Sequence, residues 1–430
     1  MFEAMRVATD GKTDAKTVGN DAGSPACTTR DKPHRDAETG RGPQRATRIA
    51  HAGRVDPRVV APPVFHASTI LFDSYAQLRE REAAPDERRA MYYGRFGTPT
   101  TSALEDALCA LDNAAHAVLT PSGLASITDI LSAFLRPGDH LLMTDSCYGP
   151  TRRFCHDTLA PRGIDTTFYD PLAGAEIAHS LRENTRLVFM ESPGSATFEV
   201  QDVPAIAAVA RARGVLSAID NTWATPLLFN PLDHGVDLAM QSGTKYLNGH
   251  ADCLFGVTTT RDARLYATLR RYTLSTGSHL AADEAMLALR GLRTLAARLP
   301  VHERHAAAVA GWLHEQPPVT RLLHPAWASC PGHECFRRDF SGASGLFAVV
   351  LEVGDEAGMA RFVDALTLFG LGFSWGGFES LCLPMHPRRA APSIALRPGE
   401  ALLRLHIGLE DPRDLIADLA AGFRALGSRP

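Results

Sequence analysis

The chain of 430 residues contains no apolar run that approaches the roughly 18 residues needed to cross a bilayer as a helix. Its start lacks the continuous apolar stretch that follows the basic residues of a secretory signal peptide. Basic residues are not in excess, because 44 lysines and arginines stand against 48 acidic residues, giving a formal net charge of -4. We therefore expect a cytoplasmic protein that is not embedded in a membrane and offers no broad positive surface to nucleic acid.

The eight cysteines, which lie between Cys27 and Cys382, follow no regular spacing. Because a disulfide framework is typical of short secreted chains with regular cysteine pairs, we expect free thiols in a reducing compartment. Cys330, His333 and Cys335 have a spacing that could hold zinc, but no second pair of ligands lies nearby in the sequence. We therefore expect no metal.

Four segments of the chain differ in composition. Residues 1–45 contain hardly any large apolar side chains, which predicts a disordered extension. Residues 46–97 are interrupted by prolines and have little periodicity, which favours an arm that packs on a neighbouring subunit. Residues 98–291 alternate between apolar runs and helical patterns, which predicts a large domain. In residues 292–430 a long helix precedes further strands and helices, which predicts a smaller α+β C-terminal domain.

Short apolar runs that end in polar residues predict buried strands of the large domain. These runs are 117–120, 140–144, 187–191, 215–220 and 236–242. Helical patterns between them predict an α/β fold with a mostly parallel sheet between helices. Ligands of such sheets lie beyond the carboxyl ends of the strands. The segments predicted to carry the site are therefore 120–123, 146–148, 191–195, 220–223 and 242–245.

Three polar groups follow successive strands of this predicted sheet. Lys245 follows a buried strand, where partial desolvation lowers the pKa of an amine and favours imine formation. Asp220 ends the preceding strand, where a carboxylate can pair with a pyridinium nitrogen. The turn at Gly123 leads into a helix whose free N–H groups favour a phosphate. Each feature alone is weak, but together they are what a site for pyridoxal 5'-phosphate needs.

Six motifs occur in a fixed order along the chain. They are 92–100 (YYGRFGTPT), 191–195 (ESPGS), 220–224 (DNTWA), 242–245 (SGTK), 374–377 (SWGG) and 404–410 (RLHIGLE). These motifs resemble those of the cystathionine β-lyases, within the Cys/Met metabolism family of pyridoxal-phosphate-dependent enzymes. The match runs from about residue 47 to residue 427. The resemblance implies fold type I with a seven-stranded sheet, and a homotetramer, a dimer of dimers, with its sites at subunit interfaces.

The resemblance also implies roles for individual residues. Lys245 would carry the cofactor as a Schiff base, Asp220 would hold the ring nitrogen, and Tyr148 would stack on the ring. The implied phosphate ligands are Gly123, Leu124, Ser242 and Thr244, together with Tyr93 and Arg95, which would reach the phosphate of a neighbouring subunit. The implied ligands of the substrate α-carboxylate are Ser374 and Arg404, and we also expect Trp375 and Arg153 at the substrate-binding site. The implied catalytic residues are Lys245, Tyr148 and Tyr93.

The residues around Ser374 bear on which bond is broken. Trp375 stands where γ-synthases and γ-lyases usually have leucine, and Phe373 stands where many γ-synthases have glutamate. Because β-elimination needs only loss of the Cα proton, whereas γ-chemistry needs further proton transfer at Cβ, we predict cleavage of cystathionine to homocysteine, pyruvate and ammonia. Phe96 and Arg153 depart from the best-known bacterial β-lyases, which have arginine and aspartate there. Recognition of the far end of an amino-acid thioether therefore stays open.

Two alternatives remain at this stage. A cystathionine γ-synthase, a γ-lyase, or a broad cysteine-S-conjugate β-lyase or cysteine desulfhydrase would share Lys245, Asp220 and Arg404. A binding protein without catalysis would share only the fold. Away from the motifs, we expect the histidines 250, 302 and 305 and the arginine pairs 270–271 and 388–389 to lie on the surface.

Overall fold

The structure is a computed structural model that describes residues 43–56, 58–83, 91–390 and 394–427. The predicted disordered segment thus lies almost wholly outside the described residues, and the proposed domain boundaries stay predictions. The helices are α1 Arg45–His51, α2 Tyr75–Ala83, α3 Pro99–Asp112, α4 Gly123–Phe134, α5 Gly149–Phe154, α6 Val203–Ala212, α7 Thr225–Leu228, α8 Ala263–Thr276, α9 Ala282–Leu292, α10 Leu295–His314, α11 His333–Asp339, α12 Glu356–Asp364 and α13 Pro412–Gly427.

The larger sheet has seven strands within the described residues. They are β1 His116–Thr120, β2 His140–Thr144, β3 Asp165–Tyr169, β4 Thr185–Glu191, β5 Leu216–Asp220, β6 Leu238–Ser242 and β7 Gly256–Thr260. Their order across the sheet is β1-β7-β6-β5-β4-β2-β3. β7 is antiparallel to β1 and β6, and the other neighbouring pairs are parallel. The predicted α/β fold with a mostly parallel sheet is confirmed.

A smaller antiparallel sheet follows in the last part of the chain. Its strands are β8 Val319–Leu323, β9 Leu346–Glu352, β10 Leu381–Met385 and β11 Glu400–His406, in the order β10-β11-β9-β8. The helices α10, α12 and α13 contribute Val309, Phe362 and Leu419 to a core on this sheet. This arrangement is the predicted α+β part of the fold.

Helices cover both faces of the larger sheet. Leu141 and Phe189 belong to the core that contains Ile127 of α4, whereas Leu142 and Val188 belong to the opposite core with residues of α6. Side chains of a strand alternate between faces, so a strand buried on both faces reads as an unbroken apolar run. This is why most of these strands were recognisable in the sequence.

Two strands of this sheet escaped prediction because they lack such a run. β3 is an edge strand with the sequence DTTFY, and its first residues are exposed or half-buried. β7 has the sequence GVTTT and is fully buried. Two of its three threonine hydroxyls are satisfied inside the protein, since Thr259 donates to Asp112 and Thr260 donates to the carbonyl of Asp237. Burial of hydrogen-bonded threonine leaves no apolar signal.

Two of the surface predictions are wrong. His302 is fully buried, and its Nδ1 lies 2.8 Å from the carbonyl oxygen of Ile407. The Arg389 side chain is 6% exposed and forms an ion pair with the buried Glu199. Arg388, its neighbour in the chain, is exposed as expected.

In the described part of the chain no helix is both long and apolar enough to cross a membrane. The seven described cysteines are free, and five of them are buried. Cys330 and His333 contact backbone carbonyls, of Phe198 and Pro325 respectively. Over the same residues, no group of three or more His, Cys, Asp or Glu side chains is arranged to hold a metal ion.

Candidate active site

The carboxyl ends of four parallel strands bring the predicted site residues to one edge of the larger sheet. β4 and β5 end side by side, with Glu191 opposite Asp220. Gly256 of β7 is paired with both Thr120, at the end of β1, and Ser242, at the end of β6. A Cβ on Gly256 would lie only 2.3 Å from the carbonyl oxygen of Ser122. Glycine here lets the turn after β1 approach the end of β6.

Lys245 lies in the turn after β6, largely buried. Its Nζ donates a hydrogen bond of 2.9 Å to Oγ of Ser374 and lies 5.7 Å from the centre of the Trp375 ring. Burial, together with the nearby Arg404 charge, lowers the pKa of the Lys245 amine to about 8, although Asp220 acts in the opposite direction. About a tenth of this amine is therefore uncharged at pH 7, far more than for an ordinary lysine, and the uncharged form is the one that a nucleophile or a base requires.

The lysine content of the sequence supports a special role for this amine. The chain has four lysines, and Lys245 is the only one after Lys32. All other strongly basic side chains between residues 33 and 430 are arginines. Arginine supplies positive charge but cannot lose its proton or form an imine at ordinary pH. Lys245 is thus the one side chain between residues 33 and 430 whose amine can form an imine.

Asp220 is connected to the end of β6 through Thr222. The Thr222 hydroxyl and backbone N–H both donate to Oδ1 of Asp220, the N–H at 2.9 Å. The same hydroxyl oxygen accepts the backbone N–H of Ser242 at 2.9 Å. Burial raises the pKa of Asp220, while the bonds from Thr222 and the charge of Lys245 lower it. The sheet therefore holds this carboxylate at a fixed distance from the strand that leads to Lys245.

The turn before α4 is packed directly on Ser242. A Cβ on Gly123 would lie 2.4 Å from the Cβ of Ser242, so only glycine fits there. Ser122 caps the helix by accepting the backbone N–H of Ala125 at 3.1 Å. Leu124 is exposed, and Thr244 exchanges hydrogen bonds with the backbone of Phe255. Gly123, Leu124, Ser242 and Thr244 thus share one corner, with the N-terminus of a 12-residue helix beside them.

Tyr148 precedes α5 and is held by Glu191. Its backbone N–H donates to Oε2 of Glu191 at 2.7 Å, and the Ser195 hydroxyl donates to Oε1 at 2.5 Å. The Tyr148 side chain is 45% exposed, which leaves a ring face available to a ligand. Desolvation, with the charges of Glu191 and Asp220, raises the pKa of the phenol. The phenol therefore stays protonated and uncharged near neutral pH.

A loop from the smaller sheet closes the other side of Lys245. Arg404 of β11 donates to the carbonyl of Ser374 at 3.0 Å, and burial lowers the pKa of its guanidinium to about 10. A Cβ on Gly376 would lie 2.8 Å from the backbone nitrogen of Tyr246. The Trp375 ring packs on Tyr246, with ring centres 5.4 Å apart. Ser374, Trp375 and Arg404 are therefore brought together beside Lys245, and their roles in substrate binding remain predictions.

Tyr93, Arg95 and Arg153 are not joined to this cluster by any contact within the described residues. Tyr93 is 43% exposed, and its hydroxyl lies 3.4 Å from that of Ser68. Arg95 donates to the carbonyl of Leu274 in α8. Arg153 is exposed on α5, whereas its neighbour Arg152 pairs with the buried Asp145. The roles assigned to these three residues remain predictions.

Some supporting residues could not be recognised from the sequence. Arg298 of α10 donates from Nη2 to the carbonyls of Tyr246 and Gly291, at 2.8 and 2.9 Å, and so holds the turn after Lys245. Arg389 donates to the carbonyl of Ser195 at 2.9 Å. These partners are 52 and 194 positions apart in the chain. No local pattern carries such a signal, although the scarcity of lysine would have singled out Lys245.

Residues 46–424 match the family model described as Cys/Met metabolism PLP-dependent enzyme. The chain is 43% identical to the cystathionine β-lyase of Escherichia coli, over 88% of this chain and 97% of that protein. It is 44% identical to the cystathionine β-lyase of Bordetella avium, over 83% of this chain and 90% of that protein.

The fold is also that of a solved structure. The crystal structure of cystathionine γ-synthase from Xanthomonas oryzae pv. oryzae, in complex with aminoacrylate and cysteine, matches with a TM-score of 0.82 and 34% identity. The match covers 90% of this chain and 99% of that one. The fold is thus shared with a γ-enzyme, while the sequence identity to the β-lyases is higher.

Proposed function

Because the chain belongs to the Cys/Met metabolism family of PLP-dependent enzymes, we propose that it is a carbon–sulfur lyase that cleaves cystathionine by β-elimination. The products are homocysteine, pyruvate and ammonia, as in methionine biosynthesis. The observation that carries this proposal is Lys245, a largely buried amine of lowered pKa that donates a hydrogen bond to Ser374. The charge of Arg404 lowers the pKa of this amine, and the charge of Asp220 raises it.

The residues present fit pyridoxal 5'-phosphate. Lys245 supplies an amine that can form an imine, and Asp220 supplies a buried carboxylate for the ring nitrogen. The corner formed by Gly123 and Ser242 would hold the phosphate at a helix N-terminus, where N–H groups and the helix dipole favour an anion. When bound, pyridoxal phosphate withdraws electrons from the substrate Cα and so eases loss of the Cα proton.

The chain itself supplies binding and proton transfer. Arg404 offers a planar guanidinium for the α-carboxylate, and its contact with the Ser374 carbonyl fixes its direction. The Lys245 amine takes the Cα proton, and the electrons of that bond expel sulfur from Cβ. The homocysteine thiolate then takes up a proton, and hydrolysis of the three-carbon fragment gives pyruvate and ammonia. Tyr148 remains uncharged, which suits it to stack on the ring.

β-Elimination is favoured over γ-chemistry by what surrounds Lys245. Trp375 and Phe373, the two neighbours of Ser374 in the chain, are both aromatic, so neither can act as an acid or base. γ-Chemistry needs an extra proton transfer at Cβ, whereas β-elimination does not. The higher identity to β-lyases agrees with this choice.

The purified protein and its Lys245→Ala variant should be mixed with cystathionine while pyruvate, 2-oxobutyrate and free thiol are measured. We expect a visible cofactor band, pyruvate and homocysteine from the wild type, and neither pyruvate nor homocysteine from the variant. Borohydride reduction of the wild type should attach the cofactor to the peptide that contains Lys245. Production of 2-oxobutyrate and cysteine would identify a γ-enzyme instead, and the absence of any band with added cofactor would contradict the assignment.

We further propose a cytoplasmic homo-oligomer, a dimer of dimers, in which Tyr93 and Arg95 complete the site of a neighbouring subunit. Tyr93 is exposed and lacks a contact with Lys245 in the described residues, and Leu71 and Tyr75 of the same arm are 89% and 75% exposed. Co-expression of Arg95→Ala and Lys245→Ala subunits tests this. Mixed dimers would contain one site with both residues intact, so activity should return; its failure to return would place each site within one subunit.

A further inference from the structure

The loop that closes over Lys245 contains two residues in the left-handed region. Ser374 has φ of 75° and Gly376 has φ of 86°. The left-handed conformation is unfavourable for serine and persists only where the surroundings hold it in place. The Ser374 hydroxyl accepts the hydrogen bond of Lys245, so whatever fixes this loop also fixes the direction of the amine.

Two side chains of one strand hold the loop. Arg404 and His406 are two positions apart on β11, so they project from the same face, while Leu405 between them enters the core on the other side. Arg404 donates to the carbonyl of Ser374 at 3.0 Å. His406 Nε2 lies 3.1 Å from the backbone nitrogen of Gly376 and 3.0 Å from the carbonyl oxygen of Gly377.

The contact with Gly376 requires an uncharged imidazole. A backbone N–H can only donate, so Nε2 of His406 accepts from Gly376 when the ring proton is on Nδ1, whereas with the proton on Nε2 it donates to the carbonyl of Gly377. Nδ1 has no hydrogen-bond partner among the described residues. His406 is 1% exposed, and its ring centre lies 5.5 Å from that of His302. Burial, with nearby His302 and Arg404, lowers its pKa to about 3. His406 is therefore uncharged throughout the neutral range, and its Nε2 holds the loop through one of these two hydrogen bonds.

The loop transmits this constraint to Lys245 through direct packing. Backbone atoms of Lys245 and Tyr246 lie so close to Gly376 that an added Cβ would approach the Lys245 carbonyl carbon to 2.9 Å. On the other side, Tyr246 packs on Trp375 and His302, with ring centres 5.4 and 5.2 Å away. A shift of Gly376 would thus move both Ser374 and the turn that carries the amine.

We propose that His406 is a positioning residue that anchors the loop 374–377 through Nε2 and so holds the Ser374 hydroxyl on Lys245 and the loop against Arg404. The role rests on the proposed function, because it concerns the same amine. His406 touches neither substrate nor cofactor, and acts through Gly376 and Gly377. Loss of the His406 imidazole loosens the loop beside the α-carboxylate pocket, but it leaves the groups that bind the carboxylate in place.

Three substitutions at this position separate the anchor from simple packing. His406→Gln places a side-chain amide near the position of Nε2, and the amide oxygen can still accept from the N–H of Gly376. His406→Asn is too short to reach Gly376, and His406→Leu fills space without an acceptor. His324→Leu is a matched control, because His324 is also buried, has a pKa lowered to about 3, and accepts a backbone N–H, of Ala326, at 3.1 Å.

The holoenzymes should be titrated with glycine, an amino acid that has an α-carboxylate but no leaving group, while visible absorbance is followed. We expect the Asn and Leu variants at position 406 to bind glycine about tenfold or more weakly, equal to ~1.4 kcal/mol, and the Gln variant to lie near wild type. The midpoint of the pH-dependent absorbance should shift in the same two variants. His324→Leu should leave both readouts unchanged.

Equal glycine affinity in wild type and His406→Asn would overturn the proposal, as would an equal loss in His324→Leu. Should His406→Leu fail to fold, the Asn and Gln pair still decides. A wild-type holoenzyme that binds glycine but forms no pyruvate from cystathionine would refute the proposed function and leave the His406 test intact.

Discussion

Glu191 and Asp220 end adjacent parallel strands and are paired with each other in the sheet, so two buried carboxyl groups face the same site. Burial raises the pKa of both, and the charge of each opposes ionisation of the other. Asp220 is favoured as the charged member by its two bonds from Thr222 and by Lys245. The pair thus carries its negative charge on Asp220, where a pyridinium nitrogen would be bound.

Replacement of Asp220 by Asn should weaken binding of pyridoxal phosphate by about tenfold or more, ~1.4 kcal/mol, because an amide cannot neutralise a protonated ring nitrogen. Equilibrium dialysis of the refolded apoprotein measures this. Asp237→Asn is the control, since Asp237 accepts two bonds from Ser217 at the opposite end of the same strands. Equal cofactor affinity in the wild type and Asp220→Asn would argue against the assigned role.

Trp375→Leu should change the distribution of products. The Trp375 ring fills space between Lys245 and Tyr246, and leucine opens that space around the substrate side chain. We expect a lower rate of pyruvate formation from cystathionine and a higher ratio of 2-oxobutyrate to pyruvate. Chromatography of both keto acids gives this ratio. An unchanged ratio together with unchanged kcat/KM would mean that Trp375 does not select the bond.

Arg389→Ala should destabilise the protein by about 3–5 kcal/mol, because removal of one member of a buried ion pair leaves the other uncompensated. The residue that would lose its positively charged partner is Glu199, whose side chain is 1% exposed. Denaturant unfolding measures the change. The exposed Arg388→Ala is the matched control and should change stability by less than about 0.5 kcal/mol. Similar losses in both variants would show that Arg389 contributes only surface charge.

Asp112 should make stability fall as pH rises. Burial raises the pKa of this carboxyl from 3.8 to about 7, against bonds from Thr259 and Gln241. A raised folded-state pKa means that the folded protein holds a proton that the unfolded chain has lost. The contribution of Asp112 to the free energy of unfolding is therefore highest below pH 3.8 and declines until about pH 7. Relative to wild type, Asp112→Asn should lack this decline in urea unfolding across that window. Parallel pH profiles would contradict the prediction.

The fold was largely predictable because its strands are apolar where both faces are covered. The strand 140–144 was predicted with the bounds that the structure has, and Asp220 was correctly placed at a strand end. β3 and β7 were missed for opposite reasons, exposure at an edge and burial of threonine. Arg389 and His302 were assigned to the surface because nothing in their neighbourhood reveals a partner more than 100 positions away.

Within the site, chain position revealed which residue types lie at strand ends but not how they are connected. The bond from Thr222 to the Ser242 backbone and the bond from Tyr148 to Glu191 depend on which strands are neighbours. Strand order is a property of the whole sheet, so these contacts require the tertiary structure. The left-handed conformation of Ser374 is likewise imposed by Arg404 and the packing around Gly376, and serine itself does not favour it.

The pairing of β11 with β9, in which Arg404 is opposite Ala348 and His406 is opposite Leu346, determines which face of the smaller sheet these two side chains occupy. A slip of one residue between these strands would turn both side chains to the far face and carry Leu405 toward Lys245. Substitutions in β9 that shift this register should therefore abolish activity while the rest of the fold stays intact. The strand register of the smaller sheet therefore helps to determine the chemistry at the larger sheet.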